Sequence, residues 1–553
     1  MRAAYSQLSV VPNVPLSYAP ELMAYTEVPL LDSANLERLR NGTVPSGLKK
    51  TNPSFHLLIP ATQSNVNLCK TLLSSFVLSY PSPTLVNYGK VFNEEGWDNG
   101  THIGKIQGTY NYLKSGKDIK DDDLVLIIDG YDVWFQLPPE VMIKRYHKMM
   151  AEADERLRTR FGMAFTKKPG KGGSKVPTQK YTQKVLFAAD KICWPNPADD
   201  PACAAIPYST LPKDTYGPNT DTDPKAFRNR PRFLNSGTII GRVADVRAVY
   251  EQAIHKVEEK RGTIGDQFVF AEIFGEQEYQ REVSKQSTRG AGGRWLDWIS
   301  SAVGTSESPL SANRTINNMT VMPGRNYEFG IGLDYESAMF QTMTHADRDV
   351  EFISYNDSST MSHIDEKYPS LRSHPTWLPL DIQQASPPFT YSSPGNHSED
   401  REDTILLPYS KNLDTISKEP TWPEVPLATN VYAASIPALL HFNGDKSPLS
   451  SWWSQMWFSS NPRALLRRYI RSTQSKEAAY AAATGGHTWW DTRGGRGGVW
   501  TDIETWMEWG QVCKKTEDQV FADGKGRWAK EEGRGKVVNS FGKVLQGDDD
   551  DED

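Results

Sequence analysis

The sequence predicts an α/β protein built on an open, mixed, mostly parallel sheet flanked by helices. Short apolar segments of strand length alternate along the chain with amphipathic segments of helix length. Polar residues gather where the apolar segments end, and open sheets of this class bind ligands at those strand ends. The chain of 553 residues is long enough to bury a large core.

The predicted elements follow an irregular, proline-containing region, residues 1–53, which we interpret as a stem or N-terminal extension. The first strand is FHLLIP, and a short polar loop and the amphipathic pattern LCKTLLSSFVLSY come after it. Proline at the start of PPEVMIKRYHKMM is typical of a helix N-terminus. The later elements are a strand at VNYGKV, a helix over 103–114, a strand at LVLIID, a helix over 138–150, a strand at VLFAAD, a strand at RFLNSGTIIG, a helix over 243–261 and a helix starting at 266.

The domain organisation predicted from composition has one main domain, residues 54–455, between two extensions. Within it, the basic segment KKPGKGGSK and the Pro/Ser/Asp-rich region 376–412 are interpreted as insertions or mobile loops. After residue 455 the composition changes to Trp, Gly and charged residues, so we interpret 456–553 as a peripheral region ending in an acidic tail.

Composition and charge narrow the class of partner. The net charge of -6 and the lack of a strongly basic face argue against nucleic acid. The 16 Trp and 23 Tyr suit a protein that stacks rings against flat or sugar-like ligands, although a large core also absorbs aromatic residues.

Sequence signals of cellular location point to the secretory pathway. Sequons of the Asn-x-Ser/Thr type occur at Asn41, Asn99, Asn313, Asn318, Asn356 and Asn396. The N-terminus lacks the apolar core of a signal peptide, and no later stretch has membrane-spanning length. We therefore expect residence in the lumen of the Golgi or the endoplasmic reticulum, through an anchor that this sequence does not contain, with a cytosolic location as the alternative.

The four cysteines are Cys69, Cys193, Cys203 and Cys513. Cys193 and Cys203 bracket the short Pro- and Asp-rich segment CWPNPADDPAC. A disulfide across that segment is one interpretation, and two unpaired thiols are the other. No CxxC pair or Cys/His array indicates a zinc site.

The segment LVLIIDGYDVWF raises the main functional question. Its apolar run predicts a buried strand, yet the strand ends in Asp129 and Asp132, separated by Gly and Tyr. A strand ending in a turn is one explanation, because Asp-Gly is a common turn pair. A metal site is the other, because Gly130 permits a turn that directs both carboxylates to one ion.

Other strand ends and loops also carry polar residues, in the segments AADKICWP, LNSG, GDQFVF, LDYESAMFQ and LLHFNGDKS. Together with DGYD, the opening strand with its Ala61-Thr62, and the EEGW and GK segments near 94–105, their order resembles the glycosyltransferase domain of the procollagen lysyl hydroxylases. The resemblance extends from about residue 55 to about residue 450. It implies a GT-A fold, which is Rossmann-related, and a procollagen glucosyl- or galactosyltransferase type of activity. Nothing after residue 450 matches the iron-binding pattern of a hydroxylase, so only the transferase activity is implied.

The resemblance also implies roles for particular residues. Asp129, Asp132 and His441 match the metal ligands, and this ligand set suits Mn²⁺. The donor UDP-sugar is expected to contact Thr62, Lys105, Tyr131, Asn235, Asn443, Gly444 and Lys446. Asp190, Asp266 and Trp194 are the candidates for catalysis and acceptor binding. Taken alone, His441 could be a core histidine, Lys105 a solvated helix residue and Trp194 a core residue.

The chain departs from the family pattern at two of these places. The relatives have a segment similar to HGNGPTK where this chain has HFNGDKS, so Phe442 replaces a small residue and the spacing to Lys446 changes. Gly265 stands where the relatives have the first of two adjacent acids, so acceptor recognition is expected to differ.

The leading hypothesis is a metal-dependent transferase that moves a hexose from a UDP-sugar to a hydroxyl on a protein or glycan acceptor. The first alternative is an inactive, transferase-like module that binds sugars or partners. The second alternative is a cytosolic nucleotidyltransferase or sugar-nucleotide hydrolase. Retention and inversion of the anomeric configuration both stay open.

Overall fold

The computed structural model describes much of the chain between Phe55 and Trp528. The described residues are 55–92, 100–117, 119–167, 175–259, 265–288, 308–310, 319, 321–368, 377–385, 387–389, 410–471 and 497–528. The predicted N-terminal stem, the acidic tail and most of the KKPGKGGSK loop lie outside them. Of the sequons, Asn356 is described, and its side chain is exposed, as glycosylation requires.

The centre of the fold is a mixed eight-stranded sheet. The strands are β1 (Phe55–Pro60), β2 (Thr84–Val86), β3 (Leu124–Ile128), β4 (Val133–Phe135), β5 (Met163–Lys167), β6 (Lys175–Gln179), β7 (Val185–Asp190), β8 (Phe233–Arg242), β9 (Ile331–Asp334), β10 (Phe340–Thr342), β11 (Val350–Ile353), β12 (Leu427–Asn430), β13 (Leu439–His441), β14 (Gly498–Thr501) and β15 (Trp506–Glu508). The order of the central sheet is β15–β14–β2–β1–β3–β8–β7–β9. The pairings β14–β2, β2–β1, β1–β3 and β7–β9 are parallel, whereas β15–β14, β3–β8 and β8–β7 are antiparallel. Parallel pairings are thus the majority, as predicted.

Helices cover both faces of this sheet. The helices are α1 (Val66–Val77), α2 (Thr101–Ser115), α3 (Pro139–Phe161), α4 (Pro201–Ala204), α5 (Val243–Glu259), α6 (Asp266–Thr288), α7 (Ser358–Lys367), α8 (Leu380–Gln383), α9 (Lys411–Asp414), α10 (Ser447–Ser451), α11 (Pro462–Arg471), α12 (Trp509–Cys513) and α13 (Glu517–Phe521). Side chains alternate along a strand, so Leu57 and Ile59 of β1 pack with α1 and α3, whereas Leu58 packs with α2, α5 and α6. No helix among the described residues is long and apolar enough to cross a membrane.

A second sheet consists of three short strands. Its order is β10–β13–β4, with β13 parallel to β10 and antiparallel to β4. Because β4 begins soon after β3 ends, this small sheet brings the distant β13 to the end of β3. Two further pairs, β5–β6 and β11–β12, are antiparallel and separate from both sheets.

Most predicted elements are present, with different bounds. Helix α6 starts at Asp266, as predicted, whereas α3 continues to Phe161, well beyond the predicted 138–150. The last turn of α3 is paired with α6 through Arg160 and Glu282. The second strand was predicted at VNYGKV, but β2 ends at Val86. Asn87 has a φ of +67°, which ends the extended conformation there.

The interpretation of residues 456–553 as peripheral does not hold for the described residues 456–470 and 498–528, because Trp457, Phe458 and Leu465 are already buried in the main core. Strand β14 pairs with β2 and so belongs to the central sheet. Residues of α12 and α13, and Trp528, are buried in the same core as β1 and α1. The glycine at 498 serves the sheet and does not mark a loose segment. A Cβ there would lie 2.4 Å from the carbonyl oxygen of Met507, so only glycine fits at this position of β14.

All four cysteines are paired. The Cys193–Cys203 disulfide agrees with the first of the two interpretations of that segment. The second disulfide joins Cys69 of α1 to Cys513 of α12, across a sequence separation of 444 residues. It fastens the C-terminal segment to the first helix of the core.

The Cys69–Cys513 disulfide should contribute more to stability than Cys193–Cys203. A disulfide restricts the unfolded chain more when it closes a longer loop, and removing one costs about 2–5 kcal/mol. We expect Cys69→Ala/Cys513→Ala to lower the melting temperature by several degrees, measured by circular dichroism without reductant. Cys193→Ala/Cys203→Ala is the matched control, since its loop spans only 10 residues. A larger decrease in melting temperature for Cys193→Ala/Cys203→Ala would contradict the greater contribution of the Cys69–Cys513 disulfide.

Candidate metal centre

The two carboxylates of DGYD lie between the two sheets. Asp129 directly follows β3, and Asp132 directly precedes β4. The glycine between them is required, but for a reason other than the predicted turn, since its φ is not in the left-handed region. A Cβ on Gly130 would lie 3.0 Å from the carbonyl oxygen of Pro60 and 3.2 Å from the Cβ of Ala61. Close packing on the end of β1 therefore selects glycine here.

His441 reaches the same place from the end of β13. In the antiparallel β4–β13 pair, His441 lies opposite Val133, and the Phe442 amide donates to the Asp132 carbonyl at 2.8 Å. The side chain of Phe442 turns away from the site and packs on Trp134, with ring centroids 4.3 Å apart. The departure from the small residue of the family pattern is thus absorbed by the core.

The ligand atoms of these three residues converge. His441 Nε2 lies 3.5 Å from Asp129 Oδ2 and 3.6 Å from Asp132 Oδ2. These separations are long for hydrogen bonds. They are close to the roughly 3–3.5 Å that separates neighbouring ligand atoms around an ion held at about 2.1 Å. All three atoms lie within 4.8 Å of one another, so one divalent cation can bind them together.

Gly237 on β8 forms the wall of this cluster. Its carbonyl accepts from the Asp129 amide at 2.8 Å. A Cβ at this position would lie 2.1 Å from His441 Cε1 and 2.7 Å from Asp129 Oδ2. Only glycine leaves space for both side chains, which explains the glycine of the LNSG segment.

Two lysines balance the charge of the carboxylates. Lys105 of α2 is buried and donates to Asp129 Oδ1 at 2.5 Å. Lys446 donates to Asp132 Oδ2 at 2.5 Å and to the Phe442 carbonyl at 2.6 Å. Asp129 therefore binds Lys105 through one oxygen and faces His441 with the other.

The neighbouring charges shift the pKa values of the three candidate metal ligands. Burial would raise the pKa of Asp129 and of Asp132, but Lys105 in the first case and His441 in the second outweigh it, and both pKa values are lowered. Burial would lower the pKa of His441, but the two carboxylates raise it to about 9. The Nδ1 atom of His441 is buried and finds no hydrogen-bond partner among the described residues. Near neutral pH the imidazole is thus a cation between two anions.

Asp266 extends the cluster beyond Lys105. The same Lys105 ammonium donates to Asp266 Oδ2 at 2.6 Å, and the Ser236 hydroxyl donates to that oxygen at 2.9 Å. His102 Nδ1 lies 3.1 Å from Asp266 Oδ1. Breaking a buried pair of this kind typically costs about 3–5 kcal/mol. Asp266 and Asp129 are consequently held on either side of one ammonium group.

Asp190 is the last residue of β7, and its carboxylate is buried. Its carboxylate accepts from Asn235 Nδ2 at 2.9 Å and from Asn443 Nδ2 at 3.0 Å. The Oδ1 atom of Asn443 accepts from the amides of Met343 and Thr344. Burial raises the pKa of Asp190, and the amide hydrogen bonds oppose that rise. Asp190 thus fixes the side-chain orientation of Asn235 and Asn443, two of the residues predicted to contact the UDP-sugar.

The remaining predicted residues surround the cluster. The Tyr131 hydroxyl accepts from the Thr62 amide at 3.1 Å and donates to the Gln63 carbonyl at 3.1 Å, so Tyr131 can offer a ligand its ring only. Gly444 has a φ of +77°. Trp194 is 56% exposed beside Cys193, and its carbonyl accepts from Gln267.

Four further residues, which the sequence pattern does not single out, contact the predicted site residues: His102, Ser236, Gly237 and Gln267. Three of them stand in segments already noted as polar strand ends or loops: Ser236 and Gly237 in LNSG, and Gln267 directly after Asp266 in GDQFVF. No signal in the sequence pointed to His102. No protein-family model matches this chain, and no curated protein sequence matches it significantly. The family resemblance therefore stays a prediction.

Metal binding at this cluster should release a proton and strengthen with pH. His441 must be neutral to bind a metal, and its pKa of about 9 means that it is protonated at pH 7. The apparent affinity for Mn²⁺ should rise about tenfold from pH 6.5 to pH 7.5, since below its pKa one proton is displaced.

Isothermal titration calorimetry in buffers of different ionisation enthalpy measures that proton directly. We expect about one proton released per Mn²⁺ bound to the wild-type protein. Asp121→Asn, an exposed change before the other end of β3, is the control and should behave as wild type. An affinity that does not change with pH would contradict the assignment of His441 as a ligand.

Proposed function

We propose that this chain is a metal-dependent glycosyltransferase with a GT-A-like fold, which transfers a hexose from a UDP-sugar to a hydroxyl of a protein or glycan acceptor. The observation that carries the proposal is the convergence of Asp129, Asp132 and His441 at the ends of two different sheets. A lysine already bonds to each carboxylate, and the imidazole nitrogen lies 3.5 and 3.6 Å from them, longer than an ordinary hydrogen bond and of the length that separates two ligands of one ion.

The fit of a cation to this cluster supports the proposal. Two carboxylates and one imidazole are ligands that suit Mn²⁺. A divalent metal supplies positive charge that stabilises a nucleoside diphosphate as a leaving group. Asp129 keeps its second oxygen on Lys105, which fixes the orientation of the carboxylate toward His441.

The protein residues then divide between donor and acceptor. We assign the Lys446 ammonium, which is half-exposed and next to Asp132, to a phosphate oxygen of the donor. Gly444 and Asn443 line the same turn. The Tyr131 ring is assigned to the uracil, and the exposed indole of Trp194 to a sugar ring.

The architecture and the disulfides fit the same proposal. The central sheet carries the antiparallel strand β8 between β3 and β7, and the small second sheet carries the histidine. Both disulfides are of the kind that persists in an oxidising compartment such as the secretory pathway. Mn²⁺ and UDP-hexoses are the cofactor and substrates that we propose for this site.

The test is a donor screen that detects UDP release. Wild-type protein should release UDP from UDP-glucose, UDP-galactose or another UDP-hexose with Mn²⁺ and not with EDTA. Asp129→Asn should lower that rate by at least about 100-fold, because it removes a metal ligand. Asp121→Asn is the matched control. If the wild-type protein neither binds UDP nor releases UDP from any UDP-hexose in the presence of Mn²⁺, the proposal is overturned.

Lys446→Met should change metal and nucleotide binding in opposite directions. Lys446 competes with a metal for Asp132, so its removal should increase the affinity for Mn²⁺ alone. It should also weaken UDP binding in saturating Mn²⁺ by about tenfold, through loss of a charge-assisted bond.

Calorimetric titrations with Mn²⁺ and then with UDP separate the two effects of Lys446→Met. Lys144→Met, on the surface of α3, is the control for the loss of one lysine. A loss of Mn²⁺ affinity in Lys446→Met would show that this lysine supports the carboxylates and does not compete with the ion.

A further inference from the structure

The two acids proposed for the acceptor side are both occupied by other protein groups. Asp266 is buried, and its oxygens accept from Lys105, Ser236 and His102. Burial would raise the pKa of Asp266, but the charge of Lys105 and the hydrogen bond from His102 lower it. Asp190 is bonded to two amides. Neither carboxylate is therefore placed to take a proton from an acceptor.

The imidazole of His102 lies between the buried Asp266 carboxylate and solvent. His102 lies in the first turn of α2, and its side chain is 58% exposed. With Nδ1–H donated to Asp266 Oδ1, the unprotonated nitrogen is Nε2, at the far side of the ring. This is the arrangement of a histidine whose tautomer is fixed by a carboxylate.

The His102–Asp266 pair is close to the candidate metal centre. Lys105 Nζ lies 2.6 Å from Asp266 and 2.5 Å from Asp129, so one ammonium separates the two carboxylates. The hydrogen bond to Asp266 and the charges of Asp266 and Asp129 raise the pKa of His102, whereas burial and Lys105 oppose that rise. An imidazole with a raised pKa is a stronger base when it is neutral.

Gly265 lies beside the half-exposed His102 ring. A Cβ on Gly265 would lie 3.5 Å from the His102 ring, which is ordinary contact. The exposed Trp194 is tied to the same place, because Gln267, next to Asp266, donates to the Trp194 carbonyl. The Trp194 backbone and the His102 imidazole are thus bonded to the adjacent residues Gln267 and Asp266.

We propose that His102 is the base that activates the acceptor hydroxyl, that Asp266 positions it, and that the transfer inverts the anomeric configuration. This inference rests on the proposed function and goes further by naming the group that receives the proton.

The step balances as a single displacement. The acceptor oxygen forms a bond to C1 of the hexose, and its proton passes to His102 Nε2. The bond from C1 to the UDP oxygen breaks, and UDP keeps the electron pair. An α-linked UDP-hexose thereby gives a β-linked product, and water in place of the acceptor gives the free β-hexose.

Hydrolysis of UDP-glucose and UDP-galactose in Mn²⁺ tests the inference without a known acceptor. His102→Ala should bind UDP with Mn²⁺ within about twofold of wild type, yet release UDP about 100-fold more slowly, the usual contribution of a general base. Imidazole in solution should restore a measurable part of the lost rate, relative to wild type with the same imidazole. Proton NMR should detect the β-hexose first.

The matched control is His255→Ala, because His255 lies on the surface of α5 with the same exposed fraction, 58%. It should hydrolyse both sugar nucleotides at the wild-type rate. Hydrolysis by His102→Ala within threefold of wild type, or a first-formed α-hexose, would overturn the inference while Mn²⁺-dependent UDP binding upholds the proposed function. The inference is also overturned if the wild-type protein binds UDP but releases none from UDP-glucose or UDP-galactose, with either water or a methyl glycoside as the acceptor.

The positioning role of Asp266 has its own measurement. In Asp266→Asn the pKa seen in the pH profile of the hydrolysis rate should move down, because His102 then faces Lys105 and the more distant Asp129 without its carboxylate partner. A lowered rate with an unchanged pH profile would instead assign Asp266 a structural role.

Discussion

The candidate site depends on the pairing of two short strands, β4 and β13. Strand β4 begins one residue after Asp132, and β13 ends at His441. Their antiparallel register sets the imidazole beside the carboxylates, and the bond from the Phe442 amide to the Asp132 carbonyl holds the two chain segments together. The packing of Phe442 on Trp134 places the apolar stabilisation directly under the polar cluster. Backbone pairing, and not side-chain attraction alone, thus preorganises the three ligand atoms.

The second property of the site is that its charges are balanced within the protein. Lys105 and Lys446 each bind one of the two carboxylates. Lys105 is buried and shared with Asp266, so it is a fixed part of the cluster, whereas Lys446 is half-exposed. The two lysines therefore offset the repulsion between the two carboxylates. Of the two, the half-exposed Lys446 is the one that can leave its carboxylate for a ligand.

The sequence predicts the local features of this molecule well and the non-local ones poorly. Strands such as VLFAAD are recognisable because a continuous apolar run of that length suits burial on both faces. The acids at the end of β3 stand out because they interrupt an apolar run. Neither the place of His102 beside Asp266 nor that of β14 beside β2 leaves a local pattern, since each depends on which distant element arrives there. The glycines near 498 contributed to the composition that suggested a peripheral region, because the contact that requires Gly498 is made by another strand.

The position of β14 has a consequence for how the chain is made. Translation proceeds from the N-terminus, so β1, β2 and β3 emerge long before residues 498–501. Until then β2 is an open edge, with unpaired backbone groups available to neighbouring chains. Contacts between such distant parts of a sequence also form slowly. A nascent or truncated chain that ends before β14 therefore exposes an aggregation-prone edge, which gives chaperones a defined segment to shield during biosynthesis.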